Sequence, residues 1–407
     1  MKAYERLIKY STFATASNEA NENCPSTTSQ MEFAKALEAE LRQLGLTEIE
    51  LDENGYLFAS VPASEGCENA PVIGFIAHMD VSPEVEDKNV KAHLVEYKGG
   101  DITLNEELGI VMKEAEFSVL RKYVGKTLVV TDGTTLLGAD DKAGVAEIIT
   151  ACERMLGDKS IPHGKIRIGF TPDEEIGRGA DKFDVARFNA KWAYTLDGAA
   201  FGEVDYENFN AHSLTVTVNG KSIHPGAAKN KMINASVVAN EYFSMLPALE
   251  RPEHTEGYEG FYHLTDMEGS IELAKLHFII RDHDADKQAY RCEYALRIAD
   301  ELNRKYGDGT VNAEIKESYR NMKEVVLPEH HLIDNAYSAI RALGANPVST
   351  PTRGGTDGCR LSFMGLPCPN LGTGSHNHHG KMEFACVEEM ELCVMQVIEI
   401  AKLYSKM

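Results

Sequence analysis

The chain has 407 residues, 43% of them hydrophobic and 26% charged, which fits a globular protein of two or three domains with at least one full core. Its 41 basic and 63 acidic residues give a formal charge of −22, which argues against nucleic-acid binding and against anionic membrane surfaces, both of which need positive charge. Apolar runs such as Val72 to Ala77 and Leu276 to Ile280 are strand-length, far below the ~18 residues of a membrane helix. The start, Met1-Lys2-Ala3-Tyr4-Glu5-Arg6, has no signal-peptide core. The eight cysteines include no Cys-x-x-Cys pair, so they read as reduced thiols of a cytoplasmic protein and not as ligands of structural zinc.

In chain order, Ser29 with Glu32 resembles a capping box, and Phe33, Leu37, Leu41 and Leu44 follow at helical spacing up to Gly45. Ile49 and Leu51, then Asn54-Gly55, then Tyr56, Phe58 and Ser60 predict a hairpin. After it one pattern repeats, in which a short apolar strand is followed by acidic or histidine residues. Val72 to Ala77 runs into His78 and Asp80. Leu128 to Val130 leads through a glycine-containing loop to Asp140-Asp141 and a helix from Lys142 to Met155. Ile166 to Phe170 runs into Asp173-Glu174-Glu175, and Trp192 to Leu196 into Asp197. Strands alternating with helices predict an α/β fold with a mainly parallel sheet, whose ligands bind beyond the carboxyl ends of the strands.

The texture changes near residue 208. Leu214, Val216 and Val218 alternate as a half-buried strand. A helix is expected from about Asn234 to Leu246, a strand over Leu273 to Arg281, a helix over Lys287 to Tyr306 and a strand over Val311 to Ile315. These three strands and two helices predict an inserted α+β unit of ferredoxin-like (βαββαβ) type at 208–318, with the catalytic domain formed by 1–207 and 319–407. Beyond it come a helix at Leu332 to Leu343, the turn Arg353-Gly354-Gly355-Thr356-Asp357-Gly358, a short strand at Pro369 to Leu371 and a last helix at Val387 to Tyr404.

His78, Asp140, Glu175, Asp197 and one histidine of Ser375-His376-Asn377-His378-His379 offer nitrogen and oxygen ligands. Such a set suits two divalent cations, zinc first and cobalt or manganese as substitutes. Asp140, at the opening of a helix, is the candidate bridge. Two cations ~3.5–4 Å apart can acidify a shared water and clamp a tetrahedral intermediate. Asp80, two residues after His78, is placed to accept the other imidazole N–H. Glu174, beside a ligating Glu175, is the candidate general base; Asp173 is its rival, and spacing alone does not choose between them.

These segments identify the chain as resembling the M20 metallopeptidases. The resemblance rests on Ala77-His78-Met79-Asp80, Gly138-Ala139-Asp140-Asp141-Lys142, Pro172-Asp173-Glu174-Glu175, Thr195-Leu196-Asp197-Gly198, Arg353-Gly354-Gly355-Thr356-Asp357-Gly358 and His379-Gly380-Lys381-Met382-Glu383-Phe384. It covers essentially the whole chain. The stretches 207–211, 255–264 and 361–371 are similar to the tripeptide-cleaving aminopeptidases of subfamily M20B in particular. The resemblance implies a dizinc site with His78 and Asp197 on one zinc, Glu175 and His379 on the other, and Asp140 bridging. It implies Asp80 as support for His78 and Glu174 as general base. It also implies that His224, in Ser222-Ile223-His224-Pro225-Gly226, polarises the scissile carbonyl from a lid domain, and that Asn234, Arg281 and Arg353 bind the small peptide substrate. An arginine clamping the substrate carboxylate at a fixed distance from the metals would select tripeptides. The family more often has tyrosine where this chain has His376 and His378. Other M20 activities (dipeptidase, carboxypeptidase, N-acyl-amino-acid amidohydrolase) are the alternatives, followed by a metal-binding protein without turnover. The sequence leaves monomer and homodimer both open.

Overall fold

In the computed structural model, which describes residues 1–407, the first strongly periodic segment becomes the helix Thr28–Leu44, with Phe33, Leu37 and Leu41 buried. Gly45 ends it in the left-handed region, φ 87°, which glycine adopts without a Cβ clash. Thr27, not Ser29, stands at its N-cap, and the Ser29 hydroxyl turns to the Thr27 hydroxyl at 3.4 Å, so the expected capping box does not form. Thr47–Leu51 and Leu57–Val61 pair antiparallel around residues 52–56 as the hairpin pattern predicts.

That hairpin is one edge of a seven-stranded sheet in the order Thr47–Leu51, Leu57–Val61, Ile166–Thr171, Ile73–His78, Trp192–Gly198, Asn370–Gly372, Val204–Asp205. Its middle four strands run parallel, and the flanking pairs are antiparallel. Ile73–His78 and Ile166–Thr171 are buried at every position, as expected of parallel strands covered on both faces. The helix Ala139–Gly157 packs on Ile73–His78 and Trp192–Gly198. Its approach depends on Gly144, where an added Cβ would lie 2.2 Å from the Leu196 carbonyl and 2.5 Å from Asp141 Oδ1.

Thr127–Val130 departs from the expected parallel set. It belongs to a separate sheet in the order Ser375–His376, Phe384–Cys386, Thr127–Val130, His93–Glu96, all antiparallel. This sheet lays the chain leading to Asp140 beside the two strands that bracket the histidine loop.

The chain divides into two compact units. The first is Met1–Tyr206 with Glu324–Thr350 and Thr356–Met407; the second is Glu207–Lys323 with Pro351–Gly355. Residues 351–355, which the sequence reading gave to the catalytic part, thus group with the second unit. That unit is a four-stranded antiparallel sheet in the order Phe261–Gly269, Leu273–Asp282, Asn210–Asn219, Val311–Tyr319. Helices Ala235–Met245 and Ala285–Tyr306 cover one face. Leu214, Val216 and Val218 alternate inward with Leu276, Phe278 and Ile280 to form the core beneath them. The strand order is that of a ferredoxin-like βαββαβ unit. No helix of the chain is long and apolar enough to cross a membrane.

Candidate metal centre and its supports

The three central parallel strands end at one edge, and each end delivers a side chain. His78 closes Ile73–His78 and pairs in register with Thr171, so the chain leaving Ile166–Thr171 carries Glu174 and Glu175 past it. On the other side Trp192–Gly198 carries Asp197. Asp140 enters from the start of the Ala139–Gly157 helix, at a residue whose own ψ of 104° is not yet helical. His379 follows the short strand Ser375–His376.

The distances define a cluster. His78 Nε2 lies 3.0 Å from Asp140 Oδ1, 3.6 Å from Asp197 Oδ1 and 3.9 Å from Glu174 Oε2. His379 Nε2 lies 2.8 Å from Glu175 Oε2 and 3.5 Å from Asp140 Oδ2. The two oxygens of Asp140 therefore face two different imidazoles. Ligand-type atoms of His78, Asp140 and Glu175 lie within 4.8 Å of one another, as do those of His78, Asp141 and Asp197.

So many carboxyl groups in one buried place repel. Burial, with Asp140 adding to it, pushes Glu175 up to about 7. Burial and then Asp197 hold Glu174 well above the carboxylate range, and burial also raises Asp197. Burial opposes ionisation of Asp140 too, but His378, His379 and His78 overcome it and hold that group well below its usual value. The carboxylates of Asp140 and Glu175 push His379 up to about 11. Glu175 Oε1 is buried with no hydrogen-bond partner. Converging imidazoles and carboxylates, excess buried negative charge and an orphaned carboxylate oxygen fit a divalent-cation centre. The two glutamates differ in access: the Glu175 side chain is 4% exposed and Glu174 is 14% exposed.

The supports differ in part from the sequence reading. His78 Nδ1 hydrogen-bonds the backbone carbonyl of Asp80 at 3.0 Å, while the Asp80 carboxylate is 3.4 Å away. The better-made bonds of that carboxylate come from the backbone N–H groups of Glu174, 2.9 Å, and Glu175, 3.1 Å. Asp80 therefore ties the glutamate turn to the histidine strand. Asp173, the rival to Glu174 in the sequence, is fully buried, and both of its carboxylate oxygens accept bonds from Ser26 and Gln30.

Three supports were not singled out from sequence. The buried Glu383 accepts the backbone N–H groups of Leu137, Gly138 and Asp140 at 2.7–3.1 Å, fixing the approach to Asp140. Asp141 accepts the His78 and Gly144 N–H groups at 3.1 and 3.2 Å. Asp357 accepts from the Thr171 hydroxyl at 2.7 Å, and burial pushes it up to about 7. Each lies inside a segment that carries the family resemblance, but only the fold shows which group it holds. Of the other histidines, His376 is buried against Tyr123, whose hydroxyl bonds its Nε2. His378 Nε2 is 2.8 Å from the Ser375 hydroxyl, with Nδ1 3.4 Å from Asp140.

His224, Asn234, Arg281 and Arg353 all lie in the second unit. His224 Nδ1 accepts the Gly226 N–H at 3.1 Å, so the neutral ring carries its proton on Nε2. The Asn234 side chain caps the Ala235–Met245 helix. Arg281 donates through Nη1 to the His212 and Ile280 carbonyls. Arg353 uses both terminal nitrogens within its own unit, on the Gly257 and Glu259 carbonyls and the Thr255 hydroxyl, each at 2.9 Å.

A parallel sheet whose strand ends gather imidazoles and carboxylates, with an inserted ferredoxin-like unit, defines a metallopeptidase architecture. The sequence profile of peptidase family M20/M25/M40 matches residues 130–402, and the chain belongs to this family. Relatives named Peptidase T are close to it. That of Caldanaerobacter subterraneus subsp. tengcongensis is 51% identical over 406 residues, covering 100% of this chain and 99% of the relative. That of Clostridium novyi is 52% identical over 402 residues, 98% of each. Among solved structures, aminopeptidase PepT from Bacillus cereus shares the fold with a TM-score of 0.77 at 22% identity, over 99% of this chain and 98% of that one. A dinuclear metal-binding M20 peptidase from Bacillus subtilis does so with 0.66 at 15%, over 99% and 98%.

Proposed function

We propose that the chain releases the N-terminal residue of tripeptides by hydrolysis at a two-cation centre. The observation that carries the reading is the double aim of Asp140, Oδ1 toward His78 and Oδ2 toward His379, the arrangement a bridging carboxylate needs. The half-identical relatives, named Peptidase T, support peptide hydrolysis as the reaction. His78 and Asp197 would hold one cation, and Glu175 and His379 the other. We assign zinc, with cobalt or manganese as substitutes, because imidazole with carboxylate suits these ions. When bound, the pair supplies Lewis-acid polarisation of the peptide carbonyl and lowers the pKa of the attacking water.

The chain's own residues do the rest. Glu174, the more exposed of the two glutamates, takes the proton from the attacking water and returns it to the leaving amine. His224, with its proton on Nε2, is the donor assigned to the developing oxyanion. Arg281 is the better anchor for the substrate carboxylate, since Arg353 is committed to the 255–259 segment; Asn234 completes the assigned substrate set. The eight free thiols suit a reducing compartment, and we place the protein in the cytoplasm.

The test is a matched series on zinc-loaded protein: dipeptide, tripeptide, tetrapeptide and N-acetylated tripeptide. The reading expects cleavage of the free tripeptide alone, abolished by a chelator. Cleavage of the dipeptide or of the acetylated peptide instead would move the chain to another M20 activity.

A further inference from the structure

The groups that hold Asp173 come from Ser26, two residues ahead of the Thr28–Leu44 helix, and from Gln30 in its first turn, 143 residues away in sequence. Gln30 clamps Asp173 from both sides. Its Oε1 accepts the Asp173 backbone N–H at 3.1 Å, and its Nε2 donates to Asp173 Oδ1 at 2.7 Å. Ser26 adds two more bonds, its backbone N–H to Oδ2 at 2.7 Å and its hydroxyl to Oδ1. Gln30 and Asp173 are 0% exposed, and Ser26 1%. Asp173 sits at φ 59° and ψ 25°, a left-handed conformation that costs a non-glycine residue energy and persists only where its surroundings enforce it. The far side of the turn is fastened to the same segment: Arg178 reaches the Asn21 and Glu19 carbonyls at 2.6 and 2.8 Å.

The left-handed residue reverses the chain directly after Ile166–Thr171. As a result Glu174 turns toward His78 while Glu175 turns toward His379. We propose that Gln30, assisted by Ser26, is a positioning residue of the reaction: its side-chain amide locks Asp173 in this conformation and so sets the separate aims of the base Glu174 and the ligand Glu175. The proposal rests on the functional reading above for those two roles. Gln30 touches neither substrate nor cation, and acts through Asp173.

The test is a swap. Gln30→Glu keeps shape and the acceptor for the Asp173 N–H, but places a carboxylate against Asp173 Oδ1 where a donor was. The double variant Gln30→Glu with Asp173→Asn restores a carboxylate–amide pair with its direction reversed. For Gln30→Glu we expect kcat on a tripeptide to fall ~100-fold with KM changed less than about threefold, the loss that ~1 Å of misplacement produces. Zinc affinity, read by chelator competition, should fall ~10-fold or more, as for other residues that orient ligands. The double variant should regain at least about tenfold in both. A scaffold residue would lower the unfolding midpoint of the metal-free protein without moving kcat or zinc affinity of the folded fraction, and that result overturns the proposal, as does a double variant no better than the single one. If Gln30→Glu does not fold, Ser26→Ala, which removes only the hydroxyl donor, should still lower kcat ~10-fold at unchanged KM, and unchanged kcat overturns the proposal. If the wild-type chain cleaves no tripeptide, the functional reading fails while the zinc-affinity arm still decides the positioning role.

Discussion

Asp80 offers the sharpest single-residue prediction, because its carboxylate has two acceptor oxygens and two backbone donors to satisfy. Oδ1 accepts from Glu174 N–H and Oδ2 from Glu175 N–H, at 2.9 and 3.1 Å, in a side chain 0% exposed. Asp80→Asn keeps size and shape but has only one oxygen. In either orientation of the amide, one of the two N–H groups then faces an NH2. Stranding one buried donor costs about 1–3 kcal/mol, so chelator-treated Asp80→Asn should unfold in urea with a stability lower by that amount. The turn would relieve the conflict by moving, and both Glu174 and Glu175 are carried on it. A displacement of ~1 Å costs ~100-fold in rate, and disturbed ligand orientation costs ~10–100-fold in metal affinity. The assay is kcat/KM on a tripeptide at saturating zinc, with chelator competition on the same preparation. Values within about threefold of wild type in both, at saturating zinc, would refute the assignment of Asp80 as the tie between the histidine strand and the glutamate turn.

Three further outcomes follow from the same geometry. Glu174→Gln should bind two zinc ions as wild type does while losing ~10²–10⁴-fold in kcat; loss of metal together with activity would make Glu174 a ligand instead. His376 is pushed down to about 3 by burial, then by His378 and Lys122, so the folded state resists protonation that the unfolded state accepts near 6.5. Its contribution to stability is therefore present above about 6.5 and is lost as pH falls from there toward about 3. Between pH 6.5 and 5 the metal-free wild type should lose up to ~1.4 kcal/mol per pH unit relative to His376→Phe, and parallel urea-stability profiles would contradict this. Gly144→Ala must displace either the Leu196 carbonyl or Asp141, each within 2.5 Å of the new Cβ. It should destabilise the protein by about 1–3 kcal/mol or more, and an unchanged unfolding midpoint would show that the helix is not held that close to the strand.

The parts of the fold legible in the sequence were those with strong periodicity. Phe33, Leu37 and Leu41, the Asn54-Gly55 turn and the alternation of Leu214, Val216 and Val218 each mark one local choice of backbone, and each takes that form. The edge strand Phe261–Gly269 was not legible, because after Phe261 and Tyr262 its side chains are mostly exposed and leave no alternation to read. Thr127–Val130 looked like another parallel strand because four apolar residues carry no information about their partner; pairing with Phe384–Cys386 is a contact across more than 250 residues. Three of the five ligand candidates, His78, Glu175 and Asp197, are brought together because neighbouring parallel strands place their ends at one edge, whereas Asp140 and His379 arrive from a helix start and from a loop of the separate antiparallel sheet, which no local pattern reports. The supports Glu383, Asp141 and Gln30 were hidden as well. Their partners are backbone N–H groups or a buried carboxylate far away in sequence, and no spacing rule reports on those. Asp80 shows the intermediate case: its proximity to His78 was readable, but its bonds to the glutamate turn required the turn to be in place.

The most direct test of the two-cation account is a stoichiometric titration. Zinc is added back to chelator-treated protein while tripeptide hydrolysis is followed alongside bound zinc per chain. The account predicts that hydrolysis is absent without metal and reaches its plateau only at two zinc ions per chain, because Asp140 faces a separate histidine with each of its oxygens. A plateau at one zinc per chain, or hydrolysis by the metal-free protein, would contradict it.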